Sequence, residues 1–282
     1  MRYLKDTIAL SETRDYPLLR RVFHSTFATG DQLFEFTRLE YYASSRKAFD
    51  NRLRRLVAHS LLVRHQIRGM NRGVVYAISP AGASELIARG EYCSGSPDRV
   101  ETVGGHVQHA LELNEIHLAL KRTGMLSRWT PESDIRSRNE LTEIGYGKDY
   151  DATVEVRIGG QEHRFALEYE RTPKAKARYD AIRERIEAQT QLRHFLYIAP
   201  NHDLLTFLRH RFQECSQVIH FGLYRDVLAD ALDVPVQANR GSTTSRFSEV
   251  LLGAASDPPQ RQTSATRRPE KQGACGHRNS LR

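Results

Sequence analysis

Three acidic residues and one lysine lie near the ends of two predicted strands within residues 148–179. Asp151 opens the first strand, and Glu168 and Glu170 close the second. Because side chains alternate along a strand, we expect both glutamates on one face, where their repulsion requires a cation, a basic side chain or water. Lys174, four residues further on, is a candidate for that charge. A solvated strand end with surface acids is an equally good interpretation of these residues.

Apolar segments on either side predict the elements that position these acids. Residues 106–123 have the apolar spacing of a helix, and a Gly-Gly turn at residues 159–160 separates the two strands. A helix is predicted from Pro173 to about Gln189, followed by strand, helix and strand up to residue 223. From this order we expect a mixed α+β or α/β fold with a central sheet flanked by helices.

The N-terminal residues 1–90 predict three helices, a hairpin with a basic tip and a fourth helix. This is the pattern of a winged helix-turn-helix domain, whose third helix enters the major groove of double-stranded DNA. The base contacts predicted at the start of the third helix are Arg46, Lys47, Asn51 and Arg52. The predicted phosphate contacts are Arg54, Arg55, Arg68 and Arg72. A winged helix that binds protein is the alternative.

Composition and charge favour an anionic partner. The 282 residues have a net charge of +8, and residues 1–90 carry 15 Lys and Arg against 8 Asp and Glu. Three scattered cysteines and no long apolar run predict a cytoplasmic protein without disulfides and without a membrane segment. The composition also predicts how the chain is divided. Gly, Ser and Pro are frequent in residues 91–105, which predicts a linker, and a second domain is predicted for residues 106–235. Residues 236–282 are predicted to form a basic disordered tail with one short helix at residues 247–252.

The order of elements in residues 106–235 resembles the PD-(D/E)xK nuclease fold. The resemblance implies that Asp151 and Glu168 are the two metal-binding acids, with Mg²⁺ or Mn²⁺ as cofactor. Glu170 stands where that fold usually has lysine, which puts catalysis in doubt. The resemblance leaves Glu170 as a third metal ligand or a base that orients water, and Lys174 as the catalytic cation in place of the missing lysine.

The whole chain resembles the replication-relaxation family and related proteins of mobile elements, over roughly residues 15–225. The similarity lies in the segment ALEYERTPKAKARY, and the matching positions are Glu168, Glu170, Thr172, Pro173, Lys174, Arg178 and Tyr179. His109 and Asn114 also look like family positions. The resemblance implies a plasmid or mobile-element protein that processes DNA, with replication or mobilisation proteins as partners.

Two functions remain open on the sequence. One is a Mg²⁺- or Mn²⁺-dependent DNA endonuclease, in which Asp151, Glu168, Glu170 and Lys174 form the catalytic site. The other is a non-enzymatic accessory factor or transcription regulator, in which an inactive nuclease-like domain serves for partner contact or for forming a homodimer. A nuclease-like fold does not by itself establish nuclease activity, so the sequence is compatible with both functions.

Overall fold

The computed structural model of the protein describes most of the chain. The described residues are 8–41, 45–67, 73–91, 104–142 and 145–253. Arg68 and Arg72 of the predicted hairpin tip, and most of the predicted linker, lie outside these ranges, so the predictions for them stay untested. The predicted boundaries of the N-terminal domain and of the linker also remain predictions.

The N-terminal unit contains the helices and the hairpin expected from the sequence. Its helices are α1 (Asp15–Ser25), α2 (Gly30–Tyr41), α3 (Arg46–Ala58) and α4 (Pro80–Ile87). Its strands are β1 (Ala28–Thr29), β2 (Leu62–Gln66) and β3 (Val74–Ile78), in the antiparallel order β1-β3-β2. Ser45 caps α3 by accepting a hydrogen bond from the Ala48 backbone N–H, so the predicted start of this helix is confirmed.

A seven-stranded mixed sheet forms the second part of the chain. Its strands are β4 (Leu126–Pro131), β5 (Ala152–Ile158), β6 (Gln161–Tyr169), β7 (His194–Ala199), β8 (Ile219–Leu223), β9 (Pro235–Ala238) and β10 (Thr244–Arg246). Their order is β10-β9-β8-β7-β6-β5-β4. Strands β4, β5 and β6 are antiparallel neighbours, whereas β6, β7 and β8 run parallel. The carboxyl ends of β6, β7 and β8 therefore meet at one edge of the sheet.

Helices cover both faces of this sheet. They are α5 (Gly104–Arg122), α6 (Glu132–Leu141), α7 (Lys176–Glu187), α8 (His202–Arg211), α9 (Tyr224–Asp230) and α10 (Phe247–Gly253). One face packs Ala166 of β6 against buried residues of α7 and α8 such as Tyr179 and Leu208. The other face packs Leu167 against Ile116 of α5 and Phe247 of α10. Alternation along β6 thus divides the core into two layers.

The two units of the chain meet along α5. Asn114 of α5 donates a hydrogen bond from Nδ2 to the backbone oxygen of Phe27, at 2.8 Å. Gln32 of α2 donates from Nε2 to the backbone oxygen of Leu111, at 2.9 Å. Asn114 and Gln32 are both buried, and their amides are satisfied across the contact, as buried polar groups require.

Two expectations from the sequence are wrong. Residues 236–253, predicted as part of a disordered tail, complete the sheet: β9 pairs with β8, β10 pairs with β9, and Val236 and Leu251 are buried. The short helix predicted there is confirmed as α10. Residues 133–143, whose charged composition predicts a loop, are helical up to Leu141 because they contribute to α6. This helix buries only Ile135 and Ser137 and so shows little apolar periodicity. No helix in the described ranges is both long and apolar enough to cross a bilayer.

The docking of α10 gives a stability prediction. Phe247 is fully buried and packs edge-to-face on Phe165 of β6, with ring centroids 4.9 Å apart. We expect Phe247→Ala to lower the free energy of unfolding by about 3–5 kcal/mol, measured by chemical denaturation, because it opens a cavity in the core. Leu252→Ala, at a side chain of the same helix that is 41% exposed, is the matched control and should cost much less. Equal small losses would mean that α10 is not docked.

Candidate functional site

Asp151 lies immediately before β5 and joins three elements. Its Oδ2 accepts a hydrogen bond from the Tyr169 backbone N–H of β6 at 2.7 Å, and its Oδ1 lies 3.3 Å from Nε2 of His109 on α5. Burial alone would raise the pKa of Asp151. The hydrogen bond and charge of His109, together with the charge of Lys148 and the Tyr169 backbone hydrogen bond, outweigh burial and lower that pKa. Burial alone would lower the pKa of His109, but the hydrogen bond and charge of Asp151, with smaller contributions from other carboxylates, raise it. The pair therefore favours Asp⁻ beside His⁺.

Glu168 lies at the end of β6, buried beside Asp151 and paired with a lysine. Lys148 Nζ contacts its Oε1, and the side chains of both residues are largely buried. Burial, opposed by Lys148 and reinforced by the negative charge of Asp151, raises the pKa of Glu168 to about 7. Near neutral pH this carboxyl group can therefore exist in both protonation states, which general acid–base chemistry requires.

Glu170 follows β6 and has a different partner. Its backbone N–H donates to the Ile198 oxygen at 2.9 Å, which continues the pairing of β6 with β7. Its Oε2 lies 2.5 Å from Nζ of Lys174, and the Lys174 backbone N–H donates to the Tyr179 hydroxyl at 3.0 Å. The charge compensation expected from Lys174 is thus found at Glu170. The two glutamates are both buried, but each is paired with its own lysine.

The carboxylates can be compared with the needs of a divalent metal. Asp151 and Glu168 interact electrostatically, and two carboxylates completed by water or phosphate oxygens suit Mg²⁺. Glu170 does not complete a set with them: within the described residues, no three His, Cys, Asp or Glu side chains are placed to hold a metal ion. The donor types therefore fit Mg²⁺ or Mn²⁺ at the Asp151–Glu168 pair alone.

Lys148 is the site residue that sequence reasoning gave no role. It lies in the loop before β5, three residues from Asp151, and its Nζ also lies 4.9 Å from the centre of the Tyr150 ring. Strand alternation carries no information about a loop residue, so its proximity in sequence to Asp151 was the only available signal. His109, noted as a family position, is placed at the site by its contact with Asp151.

Aromatic rings line the site on the side of α5 and α9. His109 stacks on Tyr169 with centroids 5.6 Å apart, and Tyr169 stacks on Tyr224 at 5.2 Å. The Tyr169 hydroxyl donates to Oε2 of Glu112 at 2.9 Å, and the same oxygen lies 2.6 Å from Nε of Arg171. These contacts fix the His109 ring that faces Asp151, because the stack restricts its rotation.

The residues predicted to contact DNA divide into two groups on α3. The first group forms ion pairs within the protein: Arg46 with Asp31 and Asp50, and Arg52 and Arg55 with the buried Asp15. The second group is exposed and, within the described residues, has no carboxylate partner. It consists of Lys47, Asn51 and Arg54, of which Arg54 contacts the Asn51 side-chain oxygen. The positions 47, 51 and 54 share one face of α3.

A comparison with protein families gives one match. Residues 19–180 match the family described as replication-relaxation, which covers more than half of the chain and includes α3, Asp151 and both glutamates. No curated protein and no solved structure matches the chain.

The ion pair at Glu168 leads to a pH prediction. We expect Lys148→Met to raise the pKa of Glu168 above about 7, because the lysine is the main group opposing burial and the charge of Asp151. The measurement is an NMR titration of the Glu168 carboxyl carbon. Lys174→Met, which removes the cation from Glu170, is the matched control and should produce a smaller rise. An unchanged Glu168 pKa in Lys148→Met would contradict the ion pair.

The same shift has a consequence for stability. An ordinary glutamate has a pKa of 4.5, so between pH 4.5 and about 7 the unfolded chain releases a proton that the folded chain keeps at Glu168. The free energy of unfolding should therefore fall as the pH rises through this window. In Lys148→Met the loss should extend to higher pH.

Proposed function

The chain belongs to the replication-relaxation family, and we propose that it binds double-stranded DNA of a plasmid or mobile element and cleaves it by metal-dependent phosphodiester hydrolysis. Membership of this family suggests a role in the processing of such DNA. In this proposal the two units have different functions. The N-terminal unit is a winged helix that binds the DNA, and the edge of the sheet at Asp151 is the active site of a nuclease of the PD-(D/E)xK type.

The observation that carries the proposal is the carboxylate pair at the carboxyl edge of the sheet. Glu168 is buried and Asp151 is partly buried, and two like charges in this position raise the free energy of the folded chain unless they are compensated. His109 and Lys148 provide that compensation. Perturbed pKa values beside a specific charge partner are a signature of functional sites.

Each residue of the pair has a chemical role in this proposal. When bound, Mg²⁺ or Mn²⁺ would stabilise negative charge on the phosphate and lower the pKa of bound water. Asp151 and Glu168 would hold it, and the hydrogen bond from the Tyr169 backbone fixes the Asp151 carboxylate for this purpose. Lys148 and Lys174, which pair with the two glutamates, would add positive charge next to the metal site, and this would favour binding of the anionic substrate.

The proposed DNA contacts follow from exposure and charge pairing on α3. Lys47, Asn51 and Arg54 are exposed at one face and have no carboxylate partner within the described residues, whereas the ion pairs of Arg52 and Arg55 with Asp15 join α3 to α1. We therefore assign base and phosphate contacts to Lys47, Asn51 and Arg54, and a supporting role to Arg52. The hairpin of β2 and β3 would lie along the neighbouring phosphates.

A non-enzymatic function is the second candidate, and two observations favour it. Glu168 and Glu170 are each already paired with a lysine, and in the part of the chain that the structure describes Glu170 belongs to no three-residue metal set. In that case the two lysine–glutamate ion pairs stabilise a catalytically inactive domain, and the protein is an accessory factor or regulator that binds DNA and partner proteins. Cleavage assays separate the two functions.

We expect the protein to nick supercoiled plasmid in the presence of Mg²⁺ or Mn²⁺. Asp151→Asn and Glu168→Gln should each reduce the rate by at least about 100-fold, because each removes a charged ligand at the reacting phosphate. Glu155→Gln, on β5 and paired with Arg164, is the control and should keep the activity. Absence of nicking with either metal, or nicking that survives both site substitutions, would exclude the nuclease and leave the non-enzymatic function.

DNA binding has its own test in the salt dependence of affinity. We expect the double variant Lys47→Gln, Arg54→Gln to bind duplex DNA more weakly and to lower the slope of log K against log salt by about 1 for each lost phosphate contact. The double variant Arg38→Gln, Arg157→Gln, at two exposed arginines paired with Glu35 and Glu162, is the matched control for loss of two charges. Equal affinities and slopes in all three proteins would remove α3 as the DNA-binding helix.

A further inference from the structure

A basic depression lies between α8 and the turn that follows β9. Its volume is about 470 Å³. The side chains that line it include Thr206, Arg209, His210, Gln213 and Arg240. Thr206, Arg209, His210 and Gln213 are three or four residues apart, so they share one side of α8 and its C-terminal extension. Arg240 closes the depression from the other side.

The depression is separate from the acidic site. Helix α8 connects the parallel strands β7 and β8, so it begins near their carboxyl ends and runs back toward their amino ends. The chain beside Arg240 pairs with the amino end of β8, where the Asn239 backbone N–H donates to the Ile219 oxygen at 2.8 Å. Glu170 lies at the carboxyl end of the sheet. The five residues of β8 place roughly 15 Å of strand between the two ends.

The two arginines are held in place by uncharged groups. Together they donate five hydrogen bonds, with lengths between 2.6 and 3.4 Å. The acceptors are the backbone oxygens of Gln213, Cys215, Ala238 and Gly241 and Oε1 of Gln237. Fixed guanidinium groups lose little side-chain entropy when they bind a further partner.

The positive charge of these arginines is not balanced by a neighbouring acid. Within the described residues, neither Arg209 nor Arg240 forms an ion pair, in contrast to Arg157, which lies 3.1 Å from Glu162, and Arg52, which pairs with Asp15. A guanidinium has five N–H donors, so about half of the donors of the two groups are left over. Two adjacent cations with free donors attract an anion.

We propose that this depression binds a phosphate group. Arg209 and Arg240 supply the charge and the paired donors that fit phosphate oxygens, and Thr206, His210 and Gln213 supply further polar contacts. The phosphate can belong to a nucleic-acid backbone or to a free phosphate compound. An open depression admits a phosphate that continues into a chain on both sides, which favours the backbone. Phosphate binding itself does not depend on the proposed function; only the nucleic-acid source rests on it.

The first experiment measures pyrophosphate binding to the full chain by isothermal titration calorimetry. We expect binding by the wild type, at least tenfold weaker binding by Arg240→Gln, and intermediate binding by Arg240→Lys, which keeps the charge but loses the planar fork. Arg157→Gln is the control of equal charge change and should bind as the wild type does. No binding by the wild type, or equal binding by Arg240→Gln and the wild type, overturns the proposal. If Arg240→Gln does not fold, Arg240→Lys decides it by the same comparison.

The second experiment identifies the source of the phosphate. Duplex DNA is titrated over a range of salt concentrations with the same variants. A slope that falls by about 1 in Arg240→Gln, but not in Arg157→Gln, assigns the site to the nucleic-acid backbone. An unchanged slope together with weakened pyrophosphate binding supports the site with a free phosphate compound as its ligand. Because the calorimetry contains no DNA, failure of the proposed function and failure of this site give different results.

Discussion

The partly buried carboxylate of Asp151 is the constraint on which the arrangement of the second unit depends. It is held at once by the backbone of β6 and by a histidine of α5, so a strand pair and the helix packed on it are fixed at one point. An ionised carboxylate removed from water has to be compensated by hydrogen bonds and opposite charge. His109 meets this need only in one orientation, and the stack on Tyr169 supplies that orientation.

The same requirement explains why lysines surround the two glutamates. A buried carboxylate can lower its free energy by binding a proton, a metal ion or a protein cation. Glu168 combines the first and the third, with its pKa near neutrality and Lys148 beside it. Glu170 forms an ion pair with Lys174, four residues further along the chain. Lys148 precedes β5 and Lys174 follows β6, so the two cations lie on either side of the β5–β6 hairpin in the sequence and both reach the end of β6.

The sequence predicted those parts of the structure whose residues show regular spacing. The two consecutive glycines located the turn between β5 and β6, where Gly159 and Gly160 both have positive φ, and the apolar residues before Glu168 located the second strand. Helical spacing and a Ser cap located α3. Lys174 is expected near Glu170 because only four residues separate them, and the ion pair forms in the irregular segment before α7.

The remaining features could not be predicted because their information is not local. Lys148 reaches Glu168 across the hairpin, and only the fold brings residues 20 positions apart into contact. Strands β9 and β10 are polar in composition, and burial of Val236 depends on β8 being beside it. Helix α6 buries two residues, too few to produce a period. Ion pairs on α3 also required the structure, since Asp15 lies on another helix.

Helix α5 contacts both units of the chain, and this restricts the number of residues between its two contacts. His109 faces Asp151 and Asn114 binds Phe27, so the two contacts are five residues apart on one helix. Each residue advances a helix by 1.5 Å and turns it by about 100°. One residue inserted between them would turn one contact away from its partner while the other stayed in place. The number of residues between positions 109 and 114 therefore sets how the two units are oriented, and a change in that number would break one of the two contacts.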